Sequence, residues 1–171
     1  MYESRRKRFL TQTVHARRPH QPFETNDFSM SNFHIREFSF DEDYERVLNL
    51  WKEIEIGMNV GKSDSPEEIK KKIQRNPDLF LVAEKENQII GTVIGAFDGR
   101  RGFVYHLAVH QNFRRQKIAS QLLSEIEKKL QAKGCIKCLL LVFSDNTHAI
   151  EFYKKQGWKH QPEDLVFAKE F

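Results

Sequence analysis

Cysteine is nearly absent from this chain, with only Cys135 and Cys138 among 171 residues, so no disulfide framework of the kind that staples small secreted domains is available. A structural zinc needs two more ligands at matching spacing, and a thioredoxin-like pair needs its first cysteine at a helix N-terminus; these two lead into an apolar strand instead. Residues three apart on a strand face opposite sides. They are therefore expected as free, buried or half-buried thiols in a reducing compartment, and no metal site is expected. Long apolar runs are also missing: no window approaches the roughly 18 residues of a membrane span, and the N-terminus lacks the apolar stretch of a secretory signal. A cytoplasmic protein without a membrane partner is the expectation. Net positive charge is scarce outside the N-terminus, because residues 1–29 hold six Lys or Arg against three Asp or Glu, +3 of the net +4. The run Arg5-Arg6-Lys7-Arg8 reads as a solvated tail, and no nucleic-acid partner is expected; the rival reading requires binding that weakens steeply with salt and vanishes when residues 1–29 are removed.

What is present is globular composition, 39% apolar and 30% charged, in a length that fits one hydrophobic core. Residues 1–29 show no sustained period and read as a flexible basic extension, with an Arg-rich organelle-targeting segment as the lesser alternative. Met30 offers a second start, and residues 30–171 form the expected working domain. Within it, His34–Phe38 reads as a strand and Asp41–Glu55 as a helix with Val47, Leu48, Trp51 and Ile54 at helical spacing. Ser65-Pro66-Glu67-Glu68 carries a capping box with Pro at the first helical position, so a second helix runs to Arg75 and ends at Asn76-Pro77. Leu79–Lys85 and Gln88–Phe97 form a hairpin about Glu86-Asn87, and Phe103–Val109 follows as a third antiparallel strand. Ile118–Lys133 is a helix closed by Gly134. Lys137–Phe143, continuously apolar, is expected as a strand buried on both faces, joined to the 103–109 strand by a crossover and so parallel to it. Thr147–Gln156 is the last helix, stopped at Gly157, and Leu165–Lys169 is expected to close the sheet beside the strand before it. The order β α α β β β α β α β makes an α/β domain with a mixed, mostly antiparallel central sheet and flanking helices.

The segment from Leu107 to Leu122 carries the chemistry. A strand runs straight into a loop and a helix start, where unpaired N–H groups and the helix dipole can hold a phosphate. Arg114, Arg115 and Lys117 add cations there; without an anion they would oppose the dipole and be ordinary surface charge. At this point the chain resembles the GNAT N-acetyltransferase superfamily, whose signature is Arg or Gln, two residues, Gly, one residue, then Gly or Ala. Arg114 and Ala119 fall on its ends, and Lys117 stands where Gly is usual. A second element, Asn146-Thr147-His148-Ala149-Ile150-Glu151-Phe152-Tyr153-Lys154-Lys155-Gln156-Gly157-Trp158, matches the family's Asn-x-x-Ala-x-x-x-Tyr-x-x-x-Gly-aromatic pattern. By itself it could be a well-capped amphipathic helix with a core tyrosine, since Asn146 can N-cap and Gly157 can close it. The resemblance covers residues 33–170 and is to small single-domain bacterial-type members.

The resemblance implies the acyl-CoA N-acyltransferase fold, with a splayed parallel strand pair, and acetyl-CoA as cofactor. It implies transfer of the acetyl group to a primary amine (a protein N-terminus, a lysine or a small amine) by direct attack. Backbone groups of Leu107, Ala108 and Val109 would hold the pantetheine arm, and a strand N–H would stabilise the oxyanion. The N–H groups of Arg115, Gln116, Lys117, Ile118, Ala119 and Ser120, with Arg114 beside them, would cradle the pyrophosphate, and Asn146 and Ala149 belong to the same cofactor face. Tyr153 would protonate the departing thiolate. Phe103 and Leu141 occupy the positions where the family often places a glutamate base, so the base is left among His106, a water relayed from Tyr105 or His106, and Glu53 or Glu55. Acceptor contacts are expected from Trp51, Glu55, Met58 and Asn59, in the first helix and the loop after it. The alternative is a non-catalytic acyl-CoA-binding or sensor module, which the missing glutamate favours and Tyr153 opposes. Self-association as a homodimer through an open sheet edge is left undecided.

Overall fold

The computed structural model describes residues 33–170, so the expected extension at residues 1–29 lies outside the described residues. Apolar residues that alternate or run continuously from Phe80 to Val109 build the centre of a five-stranded sheet: β1 (His34–Glu37), β2 (Phe80–Lys85), β3 (Gln88–Phe97), β4 (Gly102–Val109) and β5 (Cys138–Leu140), hydrogen-bonded in that order. The first three pairings are antiparallel and β4 with β5 is parallel, as a crossover through a helix requires. Glu86 and Asn87 both take positive φ, the twist that lets a two-residue loop join β2 to β3.

Helices cover both faces. On one, α1 (Phe40–Lys52) and α2 (Pro66–Arg75) bury Val47, Leu50, Trp51 and Ile69 against Phe38, Phe80, Val82, Ile94 and Ala108. On the other, α3 (Ile118–Ala132) buries Ile118, Leu122, Leu123, Ile126 and Leu130 against Leu79, Leu81, Val93 and Val104. The fourth helix, α4 (Thr147–Lys155), sets Phe152, Tyr153 and the following Trp158 against this second cluster. The expected caps are present: the Glu68 N–H donates to Ser65 Oγ, the Ala149 N–H donates to Asn146 Oδ1, and Gly134 and Gly157 take the left-handed conformation.

A charged network that sequence periodicity does not announce ties β1, α1 and β2 together. Arg36 forks onto Asp43 at 2.6 and 2.9 Å and reaches Glu84 Oε2 at 2.7 Å. Arg46 bonds the same two carboxylates from α1, at 3.1 and 2.8 Å. Asp43 is wholly buried and also accepts the Ser39 N–H at the helix start. Burial alone would push its carboxyl up, but the hydrogen bonds from Arg36 and Ser39 and the nearby guanidinium charges outweigh that and hold it below the ordinary range. Hydrogen bonds from Arg36 and Arg46 do the same for Glu84.

Three expectations are corrected. The strand expected over 137–143 is short: β5 spans Cys138–Leu140 and is half-buried, with Leu141 and Phe143 exposed, because α3 and α4 cover only part of its length. The strand expected at Leu165–Lys169 does not form, and Leu165, Val166 and Phe167 are exposed. Cys135 and Cys138 are half-buried free thiols, but they do not face opposite sides. Cys135 precedes β5, so strand alternation does not govern it, and a Cβ placed on Gly102 would meet both sulfurs, at 2.8 and 3.1 Å. Burial pushes the Cys138 thiol up to about 12.

Asp43→Asn leaves two guanidinium groups facing a neutral amide, which is expected to cost about 3 kcal/mol; equilibrium denaturant unfolding reads this directly. Because Asp43 and Glu84 titrate lower in the folded chain than their ordinary values of 3.8 and 4.5, their contribution is present above those values and lost as pH falls below them. Wild type should therefore lose stability on acidification below about pH 4.5, and the variant should lose less over the same interval.

Candidate active site

The site begins with an irregularity in β4. Thr92 pairs with Ala108 and Ile94 with Tyr105, so two residues, His106 and Leu107, stand opposite Val93 alone. This is a β-bulge, and His106 takes it up at φ 48°, a left-handed conformation that costs a non-glycine residue about 1 kcal/mol. The strain is held by a hydrogen-bond chain: Trp51 Nε1 donates to Thr92 Oγ1 at 2.9 Å, and that hydroxyl donates to the His106 carbonyl at 3.0 Å. Thr92 is fully buried and Trp51 is 2% exposed.

One extra residue reverses the alternation. Val104 packs on the α3 side, whereas Ala108, four residues later, packs on the α1 side. Tyr105 and His106, adjacent in sequence, consequently both reach the α1 face. The His110 N–H donates to the Ile90 carbonyl, so by strand alternation Ala108 also directs its backbone to β3, and Leu107 and Val109 direct theirs to the opposite edge. Among the described residues no strand pairs along that edge: β5 pairs with β4 only from Gly102 to Val104. The two strands part beyond Val104, leaving backbone donors and acceptors of Leu107 and Val109 in the gap. The Val109 carbonyl receives Arg114 Nε at 3.3 Å.

The loop after β4 supplies the second part. Gln111–Phe113 form a short 3₁₀ turn, and then Arg115 and Lys117 take φ 64° and 62° on either side of Gln116 before α3 starts. Left-handed residues spaced this way curl consecutive N–H groups inward as a nest for an anion, which here opens onto the N-terminus of a 15-residue helix. Arg114, Arg115, Gln116 and Lys117 are exposed, and Ala119 and Ser120 half-buried. The Ile118 side chain is spent in the core at 1% exposure, so only its backbone is open to a ligand. An elongated thioester carrying a pyrophosphate fits this arrangement of open strand edge followed by anion nest.

The family model of the GNAT acetyltransferases matches residues 34–158. The chain belongs to the GNAT acetyltransferase family. An acetyltransferase of Sodalis glossinidius is 40% identical over 136 residues, which cover 79% of this chain and 93% of the relative. One of Photorhabdus laumondii is 42% identical over 137 residues, with the same two shares. Among solved structures, the PaiA N-acetyltransferase of Thermoplasma acidophilum, crystallised with coenzyme A, superimposes with a TM-score of 0.65 at 24% identity, over 77% of this chain and 92% of its own. Ard1 of Thermoplasma volcanium gives 0.64 at 24% identity, over 74% and 82%; at that identity these two likenesses speak for the fold alone. The chain is thus a GNAT N-acetyltransferase, an enzyme rather than a bare sensor, and acetyl-CoA is its acetyl donor.

The remaining residues of this GNAT enzyme separate by face. Tyr153, on α4, is half-buried with Phe152 and Trp158 edge-on to its ring at 5.2 and 6.0 Å, on the α3 side of the sheet. Burial pushes its phenol up to about 12. His106 lies on the other side, edge-on to Trp51 at 4.4 Å, with Nε2 2.9 Å from Asp64 Oδ1. The approach is close but not squarely in line, so it is not a well-directed hydrogen bond. Burial lowers the His106 pKa below 6.5, and the neighbouring Asp64 carboxylate opposes that only in part. Asp64 is 4% exposed, inside the short turn Lys62–Asp64 between α1 and α2. Sequence reading missed it because an aspartate before a capping serine looks like loop chemistry.

Of the expected acceptor contacts, Trp51 is corrected: it is buried and its indole N–H is committed to Thr92, so it supports His106 instead of offering a surface. Glu55 and Asn59 are exposed and Met58 half-buried. Glu53 turns toward His110, with 3.3 Å between Oε2 and Nε2, which directs it to another partner than the thioester end. Their loop is held close: a Cβ on Gly57, whose φ is +86°, would sit 2.5 Å from Asn146 Nδ2 at the cap of α4. A loop from one face therefore touches a helix from the other. Tyr105 is 41% exposed and stacks on Phe103 at 5.9 Å.

Lys117→Gly removes a left-handed strain of about 1 kcal/mol, partly offset by the backbone freedom of glycine in the unfolded chain. The variant is expected to unfold at a slightly higher temperature and to keep acetyl-CoA binding in calorimetric titration, because the N–H groups do the holding. A loss of more than tenfold in affinity would show that the lysine side chain carries the anion instead.

Proposed function

We propose that this enzyme transfers the acetyl group to a primary amine by direct attack, with His106 accepting the amine proton and Tyr153 returning a proton to the departing sulfur. The observation that carries the reading is that these two groups stand on opposite faces of the sheet, Tyr153 against the α3-side cluster and His106 against Trp51. A base and an acid on opposite sides of one reacting centre can act in a single passage without a covalent enzyme intermediate.

Bound acetyl-CoA supplies an activated thioester carbonyl. Leu107 and Val109 align the pantetheine arm as a missing strand would, and a bulge N–H supports the charge that develops on the carbonyl oxygen. The nest at 115–120, with Arg114, holds the pyrophosphate, while Asn146 and Ala149 shape the start of α4 beside it. His106 is neutral at pH 7 because of its burial, which is the form a base requires. Tyr153 stays protonated through the physiological range; the same burial raises the affinity of the nascent thiolate for a proton, so the phenol can serve despite its own high pKa. Tyr105 and the exposed end of the α1–α2 loop, Glu55, Met58 and Asn59, form the acceptor entrance, and Glu55 favours a cationic amine. In this reading residues 30–171 are the catalytic domain.

The test is release of free coenzyme A thiol across a panel of peptide N-termini, lysine side chains and small amines. Tyr153→Phe is expected to lower kcat by roughly 100- to 10,000-fold, the usual worth of one general acid, while acetyl-CoA affinity holds. For wild type, the acid limb of kcat/KM should fall below pH 6.5, because a base with a lowered pKa remains unprotonated to lower pH, and no basic limb from Tyr153 should appear below about pH 10. An unchanged rate in Tyr153→Phe would remove the tyrosine from the reaction.

A further inference from the structure

His106 is not an isolated strand histidine. The turn Lys62–Asp64 carries a nearly buried carboxylate to 2.9 Å from its Nε2, and the chain fixes that carboxylate from three directions. Asp64 Oδ2 accepts the Gly61 N–H at 2.9 Å, its own N–H donates to the Gly61 carbonyl at 3.0 Å, and its carbonyl accepts the Tyr44 hydroxyl at 3.0 Å. The imidazole is fixed independently, by the bulge beneath it and the Trp51 ring beside it. A buried carboxylate is costly to desolvate unless it faces hydrogen-bond donors or positive charge, and no Lys or Arg is within ion-pair distance of Asp64 among the described residues. The partner placed there is a group that becomes positive only when it takes up a proton.

Resting on the assignment of His106 as the base, we propose that Asp64 is the positioning residue of a His106–Asp64 pair. Its charge, 2.9 Å from Nε2, favours the proton on that nitrogen, leaving the Nδ1 lone pair to take the amine proton, and stabilises the imidazolium that results. The amine nitrogen loses a proton to Nδ1 as its lone pair forms the C–N bond; the C–S bond breaks, and the departing sulfur takes the Tyr153 proton, which the phenol regains from water. Nε2–H and the Asp64 carboxylate keep their protonation states, and the imidazolium returns its proton to water. Among the described residues, Asp64 is the charged group that acts on the ring. From α1 it meets Trp51, with Tyr44 directed to the Asp64 carbonyl; from β3, Thr92; along its own strand, Tyr105. Glu53 is turned to His110.

The experiment compares wild type, Asp64→Asn, Asp64→Glu and His106→Gln in the full chain, by pH profiles of kcat/KM at saturating acetyl-CoA and by NMR titration of the His106 ring. Unfolding temperature and acetyl-CoA affinity serve as controls. Asp64→Asn is expected to lower kcat about 10- to 100-fold and to move both the acid limb and the ring titration to lower pH by about one unit. Asp64→Glu should restore part of each. A merely structural role would reduce the amount of folded enzyme without moving either midpoint. If His106→Gln is inactive but Asp64→Asn titrates and turns over like wild type, the pairing is wrong while the base stands. If His106→Gln keeps wild-type activity, the base assignment itself fails and the catalytic role of Asp64 falls with it. Should Asp64→Asn not fold, Asp64→Ser decides: an acid limb and ring titration unmoved from wild type there would also overturn the pairing.

Discussion

The bulge at His106 is the constraint on which the rest of this site depends. A strand that kept its alternation through Tyr105, His106 and Leu107 would stay paired with β5, direct His106 toward α3, and close the edge on which the donor must lie. One inserted residue changes all of these together. It reverses which side chains meet which helix layer, frees the backbone of Leu107 and Val109, and sends two consecutive side chains to the α1 face. Such a conformation is strained, and it persists because the Trp51–Thr92–His106 chain satisfies the polar groups that the bulge would otherwise leave unpaired inside the core.

That dependence explains why α1 is so firmly attached. Trp51 can brace the bulge only if α1 is fixed against β1, β2 and β3, and the Arg36–Asp43–Arg46–Glu84 network fixes it at its first turns while Val47 and Leu50 pack below. The chain thereby uses a partly buried ion network not for net stability, which such groups seldom supply, but to set the angle of one helix. The loop that follows α1 then carries Asp64 back to the imidazole and Gly57 across to α4. The two faces of the sheet are joined through this loop.

The helix caps, the β2–β3 hairpin, the antiparallel run and the crossover into a parallel strand were legible because each rests on a local pattern: Ser65-Pro66, Glu86-Asn87, Gly134, Gly157. The strand-to-helix turn between Arg114 and Ala119 was legible too, since the β4 run ends just before it and the α3 periodicity starts just after. Lys117 looked like an obstacle where glycine is usual. It adopts the glycine-like conformation all the same, because the next residue, Ile118, is anchored in the core. Leu165–Lys169 has the pattern of a strand and does not make one: a period-2 sequence needs an edge with partners and a covered face, and its apolar side chains stay exposed.

By itself, then, the sequence determined the order of elements through the last helix, the strand-to-helix junction after β4 and the caps of α4, all of which follow from short-range spacing. Only the tertiary structure brought Asp64 to His106. Asp64 and His106 are 42 residues apart, in a turn and a bulge, and no periodic pattern connects them. Nor could sequence show that Trp51, at a position suited to meeting a substrate, is buried. Those outcomes depend on which residue of β4 is left unpaired, a choice made by packing α1 against the sheet and not by any preference local to the strand.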